Sequence, residues 1–268
     1  MKAYLNYFKL RLITNLQYRS TAVAGILTQL FFAFVFISVY LAFYESNNTS
    51  NLPMSLSETI SYMWLQQAFY ALIYPYSKDK ELLDMIKNGN ISYELTKPID
   101  LYNKYYIKTI ASKTISTLLR FSPIIIIGLL LPFPYKLILP KSFQAFIIFL
   151  ISLIIACLLI SAMNTLVHII TFYTIDYKGV FNIYTSISDI FMGGIVPIPF
   201  LPKILIKIAD FLPFKYISDS PFRIYSGNIS ISRGIENLLY SIIWTIIIII
   251  IGKITTKKVL KKAVIMGG

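Results

Sequence analysis

The sequence predicts an all-α membrane protein with six transmembrane helices. Hydrophobic residues make up 56% of the 268 residues and charged residues only 14%, with a mean hydropathy of +0.68. This composition is far from that of a soluble domain. The apolar residues also fall into separate runs close to the roughly 20 residues that cross a bilayer core as a helix. Because the backbone must satisfy its own hydrogen bonds in lipid, such runs are predicted to be helical.

The chain begins with a basic segment, residues 1–19, that precedes every apolar run. Its apolar side chains recur at helical spacing, at Leu5, Phe8, Leu12 and Leu16. The basic residues fall on other faces of the same helix, a pattern that predicts an amphipathic helix. We expect this helix to lie at the cytoplasmic surface of the membrane.

The remaining residues, 20–268, are predicted to form a single transmembrane domain. The spans that we assign to it are residues 20–44, 59–76, 110–131, 143–171, 180–199 and 238–254. Lys and Arg are concentrated in the N-terminal segment, in the insert after the second span and in the C-terminal tail. Because cytoplasmic segments carry an excess of positive residues, both termini are predicted to be cytoplasmic in a multi-pass plasma-membrane protein.

The segment between the fifth and sixth spans, residues 200–232, is apolar but broken by prolines, and it is basic although the orientation places it outside. Prolines at this density interrupt a spanning helix, and apolar pieces of about ten to fourteen residues are typical of re-entrant or interfacial elements. We interpret the segment as a re-entrant helical hairpin whose lysines reach the headgroups. The alternative is an irregular surface loop with amphipathic helices.

A polar insert, residues 77–106, separates the second and third spans. Its first part, "KDKELLDMIKNG", is predicted to be a helix that ends at Asn88-Gly89, since Gly favours the left-handed conformation that closes helices. Pro98 then fixes a bend, and Asp100 is available to cap the helix that leads into the third span. Such a rigid, charged helix-turn-helix is suited to receiving motion from a soluble partner.

Two ionisable residues lie inside predicted spans, Arg120 in the third and Asp189 in the fifth. Counted from the cytoplasmic ends of their spans, both are roughly 14 to 15 Å deep at about 1.5 Å per residue. An ionisable residue in a span indicates a function or a partner. We expect either that the two side chains pair across the spans or that they line a substrate path.

The order of these features resembles the permease subunits of type 2 ABC exporters, and most closely their antibiotic and drug-efflux branch. The resemblance covers nearly the whole chain in layout. In the insert it depends on Ile86, Gly89, Ile91, Leu95, Lys97, Pro98 and Asp100. Nearer the outer face it depends on Gly193, Gly194, Pro197, Pro202, Pro213, Phe214 and Pro221.

The resemblance implies a half-transporter that moves an amphipathic drug, peptide or lipid-like substrate out of the cell. It implies two copies of an ABC ATPase as partners, which bind ATP and Mg, a second permease copy, identical or related, and contact with membrane lipid. The insert becomes a coupling helix, and we assign ATPase coupling to Glu81, Asp84, Lys87, Gly89, Tyr93, Lys97 and Pro98. The outer gate is assigned to Gly193, Gly194, Pro197 and Pro213, with Arg120 and Asp189 on the possible substrate path.

The sequence argues against several other functions. It contains no Walker sequence, so we expect no enzyme activity and no cofactor in this chain itself. With one His, one Cys and no clustered carboxylates, a metal site is not expected. No motif for nucleic acid is present. Two alternatives stay open: a non-transporting scaffold or assembly partner of an ATPase, and a secondary transporter or channel, for which internal repeats would be expected.

Overall fold

The computed structural model describes residues 2–17, 19–47, 51–75, 79–87, 99–174 and 177–267, and every regular element in these residues is helical. The α-helices are α1 (Lys2–Leu16), α2 (Arg19–Ser46), α3 (Leu56–Ala68), α4 (Tyr70–Ile73), α5 (Lys80–Lys87), α6 (Leu101–Leu118), α7 (Phe121–Leu130), α8 (Phe143–Ile170), α9 (Tyr177–Phe191), α10 (Lys203–Phe211), α11 (Asp219–Ser226) and α12 (Ile231–Gly267). Single 3-10 turns lie at Thr171–Tyr173, Ile198–Phe200 and Phe214–Tyr216. The predicted all-α class is confirmed.

Within the described ranges, four helical stretches are long and apolar enough to cross a membrane. They are Ser20–Ser46, Leu101–Leu130, Phe143–Tyr173 and Ile231–Lys261. These stretches overlap the first, third, fourth and sixth predicted spans. The helices at the second and fifth predicted spans are shorter than this criterion requires, so the count of six spans stays a prediction.

The second predicted span, residues 59–76, is not one continuous helix. Helix α3 ends at Ala68, Phe69 departs from helical geometry with φ −99° and ψ 12°, and α4 adds only one further turn. Tyr74 then takes an extended conformation with ψ 122°. Pro75 follows it, and proline disfavours the helical conformation in the residue before it. Helical structure in the second predicted span is therefore interrupted at Phe69 and ends at Ile73, and its assignment as a membrane span stays a prediction.

The fifth predicted span, residues 180–199, ends earlier as a helix than expected. Helix α9 ends at Phe191, and Gly193 adopts φ +73°. The backbone N–H of Gly194 donates to the carbonyl of Asp189, and that of Gly193 to the carbonyl of Ile190. This is the Schellman arrangement that closes helices where a glycine takes the left-handed conformation. The glycine pair therefore stops the helix before Pro197.

Helix α8 is the centre of the bundle and packs against α6, α9, α11 and α12. Helix α2 lies along α3 and buries one strip of side chains, including Gln29, Ala33 and Ile37. Its opposite side exposes large apolar residues such as Leu27 and Phe31. Because exposed apolar surface of this extent is costly in water, this side is suited to lipid or to another protein.

Residues 200–232 contain two short helices joined by a proline-containing turn. Helix α11 is buried and packs against α3 and α8, which excludes a surface loop for this half of the segment. Helix α10 instead exposes Ile204 and Phe211. The segment thus contains two short helices, while its assignment as a re-entrant hairpin stays a prediction.

The N-terminal helix α1 packs along α6. Tyr4 receives a hydrogen bond from the backbone N–H of Asp100 at the start of α6 (3.3 Å), through its hydroxyl oxygen. Leu5 is 63% exposed and lies outside this packed face, as do Leu10 and Ile13. Part of the predicted apolar stripe therefore faces the surroundings, where a helix at a membrane interface meets acyl chains.

Candidate functional site

A cavity of about 320 Å³ opens between α2, α3, α4 and the end of α9. Its lining is largely apolar and aromatic, with Phe32 and Phe36 from α2 and Tyr70 from α4. Asp189 on α9 is the one charged side chain among its lining residues in the described part of the chain. An apolar cavity with a few convergent polar groups is the usual form of a ligand site.

Arg120 lines a second, smaller cavity of about 180 Å³. Tyr70 and Tyr74, whose rings stack at 4.8 Å, border both cavities. The ion pairs of the described residues do not join Arg120 to Asp189. The pairing that equal depth suggested is therefore not formed, and the two charges lie in separate cavities.

The guanidinium of Arg120 lies against Gly25 of α2. A Cβ atom at Gly25 would lie 2.6 Å from Cζ of Arg120, so only glycine leaves the guanidinium this space without a shift. Arg120 also marks the junction between α6 and α7, and its Nε is buried without a hydrogen-bond partner. Packing thus holds the guanidinium of Arg120, the intramembrane charge predicted from the sequence, between α2 and α7.

Lys113 on α6 is a second buried cation, which the sequence reasoning did not single out. Its side chain is 4% exposed, and its Nζ donates to the carbonyls of Leu72 (2.9 Å) and Tyr74 (2.8 Å). These carbonyls belong to the end of α4, where the helix stops and leaves acceptors without intrahelical partners. Lys113 therefore satisfies carbonyls at the end of α4 and attaches this end of the second predicted span to α6.

The proposed gate residues Gly193 and Gly194 lie in the turn after α9, against α3. The Tyr62 hydroxyl lies 3.2 Å from the carbonyl oxygen of Gly193, and Gln66 donates through Nε2 to the carbonyl of Gly194. A Cβ at Gly193 would collide with the Tyr62 hydroxyl. Close approach and the positive φ together require glycine at this position.

Asp219, at the start of α11, holds the same turn from the other side. Its carboxylate is 1% exposed, accepts from the backbone N–H of Ile198 (3.1 Å) and pairs with Arg223 (3.2 Å). Arg223 in turn donates to Asn228 (2.7 Å). A buried carboxylate satisfied by several donors fixes its surroundings, so Asp219 stabilises the turn that contains the two glycines, a contact that the sequence reasoning missed.

The two prolines assigned to the gate have local roles at this end of the bundle. Pro197 precedes the 3-10 turn Ile198–Phe200, and Pro213 precedes the turn Phe214–Tyr216. Both begin tight turns for which the fixed φ of proline is suited.

At the opposite end of the bundle, α5 is tied to two helices by ion pairs. Lys108 of α6 lies 2.6 Å from Asp79 and 2.8 Å from Glu81, measured from Nζ to the carboxylate oxygens. Arg11 of α1 lies 3.7 Å from Glu81. The hydrogen bond from Lys108 lowers the pKa of Glu81 below its ordinary value. Glu81 is thus held ionised between α1, α5 and α6.

His168 connects α5 to the central helix α8. The backbone N–H of Asp79 donates to Nε2 of His168 (2.9 Å), which must therefore carry the lone pair. Nδ1 then holds the proton and donates to the carbonyl of Asn164 (2.7 Å). Both ring nitrogens of His168 therefore have a hydrogen-bond partner.

The apolar side of α5 packs into the same end of the bundle. Leu82 is buried against Leu101 and Tyr105 of α6, and Asp100 caps α6 by accepting from the backbone N–H of Asn103 (2.9 Å), as predicted. Asp84 is exposed on the outer side of α5.

Lys87 ends α5, and the other coupling residues predicted from the sequence, Gly89, Tyr93, Lys97 and Pro98, lie outside the described residues. Their assignment to ATPase coupling stays a prediction.

A family model described as ABC-2 family transporter protein matches residues 59–267 of the chain. The match covers most of α3 and all of α4 to α12, and so includes the second cavity, the turn at Gly193 and Gly194, and α5, whereas the α2 residues that line the first cavity lie outside it. No curated protein matches the chain.

Proposed function

Because the chain belongs to the ABC-2 family of transporter proteins, we propose that it is the permease of an exporter that moves an amphipathic substrate outwards. Family membership makes it an integral membrane protein and a permease component of an ABC transporter, which acts with an ATPase partner. The finer proposal is that a drug, peptide or lipid-like molecule leaves through the cavity beside Asp189, and that a separate ATPase supplies the energy.

The observation that carries this proposal is a continuous set of contacts from α5 to the cavity. Lys108 attaches α5 to α6, and Lys113, further along α6, attaches that helix to the end of α4. Tyr70 and Tyr74, at the two ends of α4, line the cavity. A push on α5 therefore has a direct route, through two lysines of one helix, to the wall of the cavity.

We infer that closure of the ATPase subunits on ATP displaces the insert at residues 77–106 and shifts α6 with the end of α4. The cavity then changes from a cytoplasmic or inner-leaflet opening to an outward one, with the turn at Gly193 and Gly194 as the outer gate. Such alternating access requires that the substrate bind the two states with different affinities. Both termini would lie in the cytoplasm of a plasma-membrane complex.

We propose that two permeases, each with its ATPase, pair through α2 and α9. The outward sides of these helices combine apolar residues, such as Phe31 and Ile187, with the polar Asn182 and Ser186. A polar strip that leads to Asp189 is costly against lipid, at about 2.5–3.5 kcal/mol or more for a charge near the bilayer centre. A second copy across this face would cover the strip.

The test is purification of the tagged chain from its own membranes, followed by mass spectrometry and assay of ATP hydrolysis. The proposal predicts a co-purified ATPase whose turnover rises with a transported compound in lipid vesicles. Lys108→Met should weaken this stimulation, whereas Lys253→Met, which removes an exposed lysine of α12, should leave it unchanged. Absence of an ATPase refutes the proposal, and an ATPase whose complex transports nothing favours the scaffold alternative.

A further inference from the structure

The cavity beside Asp189 combines one carboxylate with a buried amide that has no partner. Gln29 of α2 is 3% exposed, lines the cavity, and neither its Oε1 nor its Nε2 makes a hydrogen bond in the described structure. A buried polar group without a partner costs about 1–3 kcal/mol. A ligand that brings a donor or an acceptor to Gln29 would recover this free energy.

The sign of the charge in the cavity selects the ligand. Asp189 has no oppositely charged partner among the described ion pairs, and the two cations that line the second cavity, Lys113 and Arg120, do not line this one. A carboxylate surrounded by apolar side chains attracts a cation more strongly than it would in water. An anionic ligand would be repelled at the same place.

The remaining walls suit a cation that carries an apolar body. Phe32 and Phe36 lie on one side of the cavity, and the stacked pair Tyr70 and Tyr74 lies on another. Aromatic faces attract organic cations, and ammonium groups in particular, through the ring quadrupole. The volume of about 320 Å³ is near the lower limit of ligand sites, at roughly 300–1,000 Å³. A small drug-sized molecule fits these dimensions, whereas a folded peptide or a glycan chain does not.

We propose that this cavity binds a monovalent organic cation with an aromatic or apolar body, its charge held by Asp189 and its polar group by Gln29. Only the identification of this ligand as the transported substrate rests on the proposed function. Binding itself requires neither ATP nor a partner subunit, and it can therefore be measured on the permease alone.

The experiment compares tetraphenylphosphonium with tetraphenylborate, which share size and shape but carry opposite charges. Binding of each to the full chain in lipid nanodiscs is measured by equilibrium dialysis, with empty nanodiscs subtracted to remove partition into lipid. Tetraphenylphosphonium should bind at a saturable site. Equal saturable binding of both ions, or of the borate alone, overturns the inference.

Matched variants locate the site. Asp189→Asn preserves shape and should weaken tetraphenylphosphonium binding by at least about tenfold, because the cation loses its partner in an apolar cavity. Asp210→Asn removes a carboxylate that is paired with Lys215 outside the cavity, and should leave binding unchanged. Tetraphenylphosphonium has no hydrogen-bonding group, so Gln29→Leu should not weaken its binding, whereas the same change should weaken binding of an organic cation that carries a hydroxyl or amide group by about fivefold. Binding that survives Asp189→Asn in a folded sample overturns the inference.

The outcome is separable from that of the proposed function. A co-purified ATPase together with no cation binding refutes the substrate class and leaves the exporter proposal intact. Cation binding without an ATPase refutes the exporter proposal and leaves a cation site.

Discussion

Replacing Lys113 with methionine is expected to loosen the broken second span from α6. Methionine keeps the length and apolar stem of the side chain but cannot donate to the carbonyls of Leu72 and Tyr74. Two buried acceptors left unpaired cost about 2–6 kcal/mol together. Relief from burying an ammonium group offsets part of this cost. The net loss of stability is therefore about 2–4 kcal/mol, and the unfolding midpoint should fall by roughly 5–15 °C.

The assay is thermal unfolding of the purified chain in detergent, with Lys253→Met as the matched control. Lys253 is exposed on α12, so its replacement removes the same charge and adds the same thioether without breaking a buried bond. The control should shift the midpoint by no more than about 2 °C. If Lys113→Met is as stable as Lys253→Met, the end of α4 does not depend on Lys113, and the proposed route from α5 to the cavity loses its second step.

Three further predictions concern the gate and the cytoplasmic end. Gly193→Ala should lower stability by about 1–2 kcal/mol more than Gly194→Ala in thermal unfolding, because only Gly193 has a positive φ; equal effects would contradict the role of its backbone conformation. The hydrogen bond from Lys108 lowers the pKa of Glu81. Ionised Glu81 therefore stabilises the fold fully at pH values above its ordinary pKa, and this stabilisation is lost as the pH falls through the lowered pKa of the folded state. Glu81→Gln should flatten that acid-side loss in a pH series of unfolding midpoints, and an unchanged profile would refute the assignment. Asp100→Ala should cost about 1 kcal/mol through loss of the α6 cap, and no change in denaturant midpoint would contradict it.

The sequence predicted the local structure best where one residue decides it. Asp100 follows a turn and precedes a helical run, so its cap could be assigned from the pattern alone, and the structure has it. The helix over the first part of the insert was expected for the same kind of reason, since Leu82 falls on its apolar strip and is buried. Local signals of this type depend on few neighbours.

The ends of the second and fifth helices could not be assigned from apolar length. Hydropathy continues past Phe191, although the helix stops there because Gly193 takes the left-handed conformation. The glycine pair was assigned to the gate from the sequence. Glycine also favours the ends of helices, so the same pair could have predicted that the helix ends here. The break at Phe69 has no such marker before Pro75.

The polar contacts between helices of the bundle could not be predicted from the sequence, because they depend on how the helices are rotated relative to one another. Equal depth suggested that Arg120 pairs with Asp189, but depth does not fix the direction in which a side chain points. The chain begins a new helix at Arg120, and this residue then lies against Gly25. Lys113 was missed for the same reason, since its acceptors are about forty residues away in the chain.

The most direct test of the account is a photo-crosslink from α5 to the ATPase. A benzoylphenylalanine at Asp84, which is exposed on α5, should capture a protein with nucleotide-binding motifs, identified by mass spectrometry, with a yield that changes when ATP is added. The same probe at Phe211, 78% exposed on α10, should capture no such protein. Capture at both positions or at neither would contradict the assignment of α5 as the contact through which the ATPase drives this permease.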